Sequence, residues 1–504
     1  MNGPALDIAN AVFMAGAIVA GLGVAWRLLA PSTWVYTGLV LLTGGWLACI
    51  TSVLAITTGR PLMSTIAMCL VTGIGWVAAR LVEHRVGLLV AAGAVVMPLR
   101  VPVPLGSETA NVLLLLYAVI AVGLLAELRR ESRSPQGHPT LRLPADVAVA
   151  ALTLWSCMSF AWTYARPDAR IDIALFILPF ATMYLLVRSW IGNERAKLGP
   201  AAIGFLATMG CAAAIAIYQH VTRTIWSNPK VIVANAYAPD FRVNSIFWDP
   251  NILGRYLGVG LLVMAALMLR GTYRPRHLAL GACASAIAGI ALWFTYSQSS
   301  FAALSAGLIA LVFAASGRRV RIALGIVAIV GMLLAPVMLR DLAGKDTSSR
   351  ETVVAAGVKL SSIHPVRGIG IGSYESGVSE IARNRGDAQP KLQSSHTSPM
   401  TVFVELGVVG LGLLIMFLTA GIAPALLAPA ADAPRWWAVA AMTALLVHSM
   451  FYAALIEDPL TWAALAIIAA SQMHTRKDSS GLDEPHTRPT PSTVEQDVVA
   501  PPVD

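Results

Sequence analysis

Apolar runs of about 20 residues, the length that crosses the hydrocarbon core of a bilayer, recur along most of this 504-residue chain. A segment that crosses lipid must satisfy its own backbone hydrogen bonds, which leaves only helices or a closed barrel. The runs are rich in Leu, Ala, Val and Gly and show no strand-length alternation, so a barrel is rejected. The expected fold class is all-α, a polytopic transmembrane helical bundle of about 13–15 spans. Composition agrees: the chain is 57% hydrophobic and 12% charged, and soluble domains carry roughly twice that charge density.

Candidate spans are 8–26, 33–57, 61–81, 86–98, 108–127, 145–163, 171–190, 198–219, 250–269, 277–297, 299–316, 320–339, 400–427, 436–455 and 459–473. The run 86–98 is short and leads to Pro102 and Pro104, which suits a half-buried or tilted segment. Around Arg80, Glu83, His84 and Arg85 the chain is too polar for the bilayer centre and reads as a turn. Three regions follow: N-terminal helices over 1–127, a larger helical core over 145–473, and a tail over 474–504 rich in Pro, Ser and Thr. Such a tail buries too little apolar surface to fold and is expected to be disordered.

The net charge of +9 gathers in short loops: Arg129, Arg130, Arg133 and Arg142; Arg270, Arg274 and Arg276; Arg318, Arg319 and Arg321. Arginine-rich short loops mark the cytoplasmic side of an inner-membrane protein. Segments 220–249 and 340–399 then face outward, and the C-terminal tail faces inward. No basic patch is interleaved with aromatic residues in a soluble domain, so nucleic acid is excluded as a partner. The five cysteines, Cys49, Cys69, Cys157, Cys211 and Cys283, all lie inside apolar runs. They are expected to be small core hydrophobes rather than disulfides or metal ligands. No basic region precedes 8–26, which therefore reads as a retained span and not a secretory signal.

The segment 340–399 is too long to be structureless. Val353, Val354, Gly357 and Leu360 form a weak helical stripe, and Tyr374, Val378 and Ile381 a second one. Two helices packed as a lid are expected, joined by the breaker-rich turn from His364 to Tyr374. The alternating glycines of that turn lack the strand–turn–helix setting of a dinucleotide site. His396 follows in a polar stretch just before the run at 400. It is either a helix cap or a group able to accept a proton near neutral pH. In the shorter outer loop, Arg242 lies beside aromatic residues, and Asp249-Pro250-Asn251 opens the next span. Interface anchoring and helix capping explain both equally well. Thr295-Tyr296-Ser297-Gln298-Ser299-Ser300 gives either a tight turn or a cluster of neutral hydrogen-bonding groups.

Taken in order, these stretches resemble the O-antigen ligase and polymerase family of membrane glycosyltransferases, over about 240–415 and more weakly upstream. The features that carry the resemblance are Arg242 with Asp249-Pro250-Asn251, the hairpin 295–300, and Arg350. His364-Pro365 with Gly368 and Gly370, His396, and Glu405-Leu406-Gly407 with Gly410 complete the order. One departure stands out: family members often carry arginine in the hairpin motif where this chain has Gln298.

The resemblance implies transfer of a glycan from undecaprenyl pyrophosphate to an acceptor hydroxyl at the outer face of the cytoplasmic membrane, with inversion. Arg242 and Arg350 are the expected pyrophosphate ligands, because guanidinium offers a planar fork of donors. His396 is the expected acceptor of the hydroxyl proton. Arg367, Asn251, Gln298, His364 and Glu405 are expected to bind or orient substrate; Arg367 or Arg383 can supply the cation missing at Gln298. Arg255, one turn into its span, is open between binding a lipid phosphate and snorkelling. The outer loops hold no Asp-x-Asp pair, so no metal or other cofactor is expected. Expected partners are the lipid-linked donor, an acceptor lipid, glycan or protein, and membrane lipids. A lipid-linked oligosaccharide flippase would place ionisable groups near the bilayer midplane and show internal repeats, and neither is evident. A non-catalytic polysaccharide-assembly partner would keep the fold and lose basic residues, which gives Gln298 its weight. Ligase and polymerase share a donor and are not separated by sequence.

Overall fold

The computed structural model describes residues 3–31, 34–99, 101–105, 108–133, 143–226, 228–269, 274–317, 356–384, 397–427 and 433–481. The run at 320–339, Arg350, His396 and the tail beyond 481 lie outside the described residues.

The chain is a polytopic helical bundle. The N-terminal helices are α1 (Pro4–Leu29), α2 (Val35–Thr58), α3 (Pro61–Val82), α4 (Val86–Val96) and α5 (Leu114–Arg133). Next come α6 (Pro144–Met158), α7 (Arg166–Gly192, with a π-helical turn at Asp172–Ile177), α8 (Leu198–Thr222) and the short α9 (Pro229–Tyr237). The rest are α10 (Pro250–Leu269), α11 (Pro275–Trp293), α12 (Gln298–Ala315), α13 (356–361), α14 (Tyr374–Asn384), α15 (Ser398–Leu427), α16 (Ala433–Ser449) and α17 (Pro459–Gly481). Among the described residues, ten helices are long and apolar enough to cross a membrane: α1–α3, the stretch from α6 to Ala161, α7, α8, α10–α12 and α15.

Successive spans run antiparallel, so the loops sort to two ends. At one end buried carboxylates hold the arginines. Glu83 pairs with Arg129 (3.1 Å) and Arg133 (2.9 Å), and Glu127 with Arg130 and Arg195 (both 2.8 Å). Asp146 pairs with Arg188 (2.6 Å) and also accepts from the Tyr184 hydroxyl. At the other end lie the segments that carry Arg242, Ser297, His364 and Ser398.

The centre of that second end is a break in α15. Gly407 has φ 69° inside the helix, a conformation that favours glycine. The break frees backbone groups within a span, where each unsatisfied one costs several kcal/mol. The segment 364–373 supplies the partners. Ile369 N donates to Val404 O (3.0 Å) and Gly370 N to Glu405 O (2.8 Å), while Val408 N donates to Pro365 O (2.8 Å). Gly368 and Gly370, with φ 73° and 97°, lie so close to the backbones of Glu405 and Thr163 that neither position has room for a Cβ.

Several expectations need correction. The breaker-rich stretch is more than a connecting turn: Ile369 and Ile371 are buried, and Ile371 N reaches Ser159 Oγ (3.2 Å) at the end of α6. The span expected from 108 begins at Leu114, because 101–105 and 108–112 pair as an antiparallel hairpin; Pro102 and Pro104 cannot continue a helix. Only Cys49 and Cys157 are in the core, whereas Cys69, Cys211 and Cys283 are exposed on helix surfaces. Lipid-facing and buried sides of a span are equally apolar, so residue type does not separate them. The last helix continues to Gly481, past the expected end at 473. The two expected lid helices do pack together, with Leu360, Tyr374 and Val378 sharing a cluster with Val404 of α15.

The break makes a testable demand. Gly407→Ala places a Cβ against the Val366 carbonyl in a left-handed conformation, which costs at least about 1–2 kcal/mol. It should lower the melting temperature of the purified protein clearly. Gly412→Ala, in the same helix with open space around it, should not.

Candidate active site

The sequence places Asp249-Pro250-Asn251 at a helix start, and capping is what the first residue does: Asp249 Oδ1 accepts Asn251 N (2.7 Å). This fixes the Asn251 side chain at the mouth of α10. Its Oδ1 accepts from Arg242 Nη2 (3.2 Å) and from Ser297 Oγ (2.8 Å). Arg242 Nε donates to Thr295 O (2.9 Å), and the Arg242 backbone is clamped through N and O by the side-chain amide of Asn235 in α9. The guanidinium is thus held by two neutral oxygens. Nη1 is uncommitted among the described residues.

Ser297 caps α12 by accepting Ser300 N, and Ser297, Ser299 and Ser300 share their hydroxyls. Ser299 Oγ lies 3.3 Å from Nε2 of His448, which is buried in the last turn of α16. A continuous polar chain therefore runs from Arg242 through Asn251 and Ser297 to His448. Gln298 is exposed and stands outside that chain.

Arg255, one turn further into α10, is buried and paired with Asp458 (2.6 Å), and its Nη1 donates to Ala454 O (3.2 Å). Neither phosphate binding nor snorkelling describes it. Next to Asp458, Glu457 is pushed above the usual carboxylate range by burial, with Arg255 opposing. Ser398, two residues beyond His396, opens α15 by accepting Ala454 N and Leu455 N (both 3.1 Å).

The remaining expected residues separate from this group. Among the described residues Glu405 pairs with no arginine; its Oε1 accepts Tyr374 N (3.0 Å) and so ties α14 to the break in α15. Burial, and then the Glu405 carboxylate, pushes the Tyr374 phenol up to about 12. His364 is half-buried, and its carbonyl closes a turn on Gly368 N (2.8 Å). Arg367 is exposed and lies over the Trp162 ring, 5.8 Å from its centroid. Sequence reasoning missed His448, Glu457 and Asp458. An ionisable residue in an apolar run was the available signal for His448.

The Arg255–Asp458 pair should behave as a buried ion pair. Asp458→Ala leaves the guanidinium uncompensated and should destabilise the protein by about 3–5 kcal/mol. The double variant Arg255→Met/Asp458→Leu should lose less than that single change, measured as melting temperature. A double loss equal to the sum of the singles would show no coupling.

No curated protein matches the chain. Residues 283–415 match the family model described as O-antigen ligase. The matched segment contains the Ser297 cap, the glycine-rich stretch and the first half of α15, including the break at Gly407. Arg242 and Asn251 precede it in sequence and join it through Thr295 and Ser297. The protein is a multi-pass membrane protein that, over residues 283–415, is similar to the O-antigen ligase family.

Proposed function

We propose that the protein moves a glycan from undecaprenyl pyrophosphate to an acceptor hydroxyl at the end of the bundle that carries Arg242. The acceptor oxygen attacks the anomeric carbon, and the bond from that carbon to the pyrophosphate oxygen breaks. The lipid pyrophosphate leaves, and the hydroxyl proton passes to His396. Arg242 and Arg350 hold the pyrophosphate from two loops and meet the negative charge that grows on it. Pyrophosphate is a good leaving group when so held, and the reaction proceeds without a divalent metal. This end would face outward, since the arginine-rich end carries the cytoplasmic signature.

The observation that supports this best is the setting of Arg242. Its guanidinium is oriented by Thr295 O and Asn251 Oδ1 with no carboxylate in the pair. Neutral acceptors fix its direction and leave its full charge available to an anion.

The test is transfer activity of purified variants with a lipid-linked donor. Arg242→Lys keeps the charge and loses the fork, so transfer should fall, and further in Arg242→Ala, through weaker donor binding. His396→Ala should lower turnover by about 10² or more and leave donor affinity nearly unchanged. A capping histidine would instead cost about 1 kcal/mol of stability with chemistry intact. Full turnover in folded His396→Ala would overturn its role. Separately, activity should persist in excess EDTA, and loss that Mg²⁺ or Mn²⁺ restores would overturn metal independence.

A further inference from the structure

A cavity of about 260 Å³ lies away from the Arg242 site, walled by α4, α5, α7, α8, α10, α16 and α17. That is just below the usual range of about 300–1,000 Å³ for ligand pockets. Its walls are apolar along their length, from Leu460 at one end to Leu198 and Leu267 at the other. An apolar cavity of this kind stays dry, and in a membrane the available filler is hydrocarbon.

The cavity leads to the arginine-rich end. Trp190, in its wall, donates Nε1 to Glu127 (3.1 Å), the carboxylate that Arg130 and Arg195 also hold. Leu198 and Gly199, the first turn of α8, line it, and the exposed Lys197 directly precedes them. Leu89 and Val90 of α4 line the same space, and the exposed Arg85 directly precedes that helix. The two helices start side by side, with Gly87 against Ala196. Acidic groups do not cancel these cations. Glu83 is taken up by Arg129 and Arg133, and the exposed Glu194 is set against two exposed cations, Arg85 and Lys197. Two helix N-termini add further positive potential at the same place.

We infer that this cavity is a lipid site: it holds an acyl chain of an anionic phospholipid from the leaflet at the arginine-rich end, with the phosphate between Arg85 and Lys197. Charge complementarity selects the occupant. A basic rim over a hydrocarbon slot between helices recognises an anionic headgroup, whereas a zwitterionic lipid gains only the slot. The glycan donor is a poor match, because its pyrophosphate would have to sit at the opposite end of the bundle from Arg242.

The test is native mass spectrometry of the delipidated full-length protein, titrated with phosphatidylglycerol or with phosphatidylcholine of the same chains. The wild type should retain one phosphatidylglycerol at concentrations where phosphatidylcholine is lost. Ala202→Trp, which fills the cavity from α8, should lose both. Arg85→Glu/Lys197→Glu should reduce the preference for phosphatidylglycerol by about tenfold or more, taking roughly 1 kcal/mol per basic residue, and leave phosphatidylcholine binding unchanged. Equal retention of the two lipids by the wild type would overturn the proposal. So would unaltered phosphatidylglycerol binding in folded Ala202→Trp, or a co-purifying polyprenyl lipid that only this variant displaces. Should Ala202→Trp fail to fold, the charge-reversal variant decides alone, because both its positions are exposed, and an unchanged preference there overturns the site.

Discussion

The break at Gly407 organises the end of the bundle that carries Arg242. A membrane helix cannot simply stop pairing its amides and carbonyls, because lipid offers no replacement. Here the replacement is a second piece of chain, 364–373, whose amides and carbonyls substitute for the missing helical turn. That substitution demands very close approach, and alternate glycines permit it. The same stretch then reaches the end of α6: Ser373 Oγ meets Thr163 Oγ1 (2.8 Å) and accepts the amides of Tyr164 and Ala165. Trp155 Nε1 donates to Leu406 O (3.0 Å) and braces the break from the other side. The short first half of α15, from Ser398 to Leu406, is therefore oriented independently of the long second half. It is pinned at one end by Ser398 on the 454–455 backbone and at the other by this graft.

Two arginines of one region illustrate how burial and pairing divide labour. Arg255 is paired with Asp458 and donates to a carbonyl, and its charge is cancelled where it stands. Arg242 is held as firmly, but by neutral oxygens only. A site for an anionic leaving group needs the second kind, since a cation already neutralised has little to offer a phosphate. At the opposite end the carboxylates Glu83, Glu127 and Asp146 pair with Arg129, Arg133, Arg130, Arg195 and Arg188. Arg85 and Lys197 are exposed there, at the starts of two helices that line the apolar cavity.

The spans could be read from sequence because a bilayer acts on composition over about 20 residues, a signal that survives without any knowledge of packing. A helix start was also readable where the cap is local, as at Asp249. What could not be read depends on contacts far apart in the chain. Ser299 and His448 meet across two helices, and Arg255 and Asp458 come from different spans. The glycines of 364–373 read as a turn, because nothing local shows that a broken helix 40 residues later needs its backbone groups. The lipid-facing cysteines belong with these failures, since both faces of a span are apolar.

Gln298 is the departure from the O-antigen ligase pattern that most bears on the proposed reaction, and its location limits what it can change. Ser297 is the inward-facing cap, with Ser299 and Ser300 bonded to it, whereas Gln298 occupies the exposed first position of α12. The chain of hydrogen bonds from Arg242 to His448 closes without it. A cation at 298 would act from the rim, through solvent, where an exposed charge contributes little to an ion pair. Arg242 acts from within a network whose every member is fixed by a neighbour. Replacing a basic residue by Gln298 therefore removes attraction at the rim and leaves intact Arg242, the group proposed to hold the pyrophosphate.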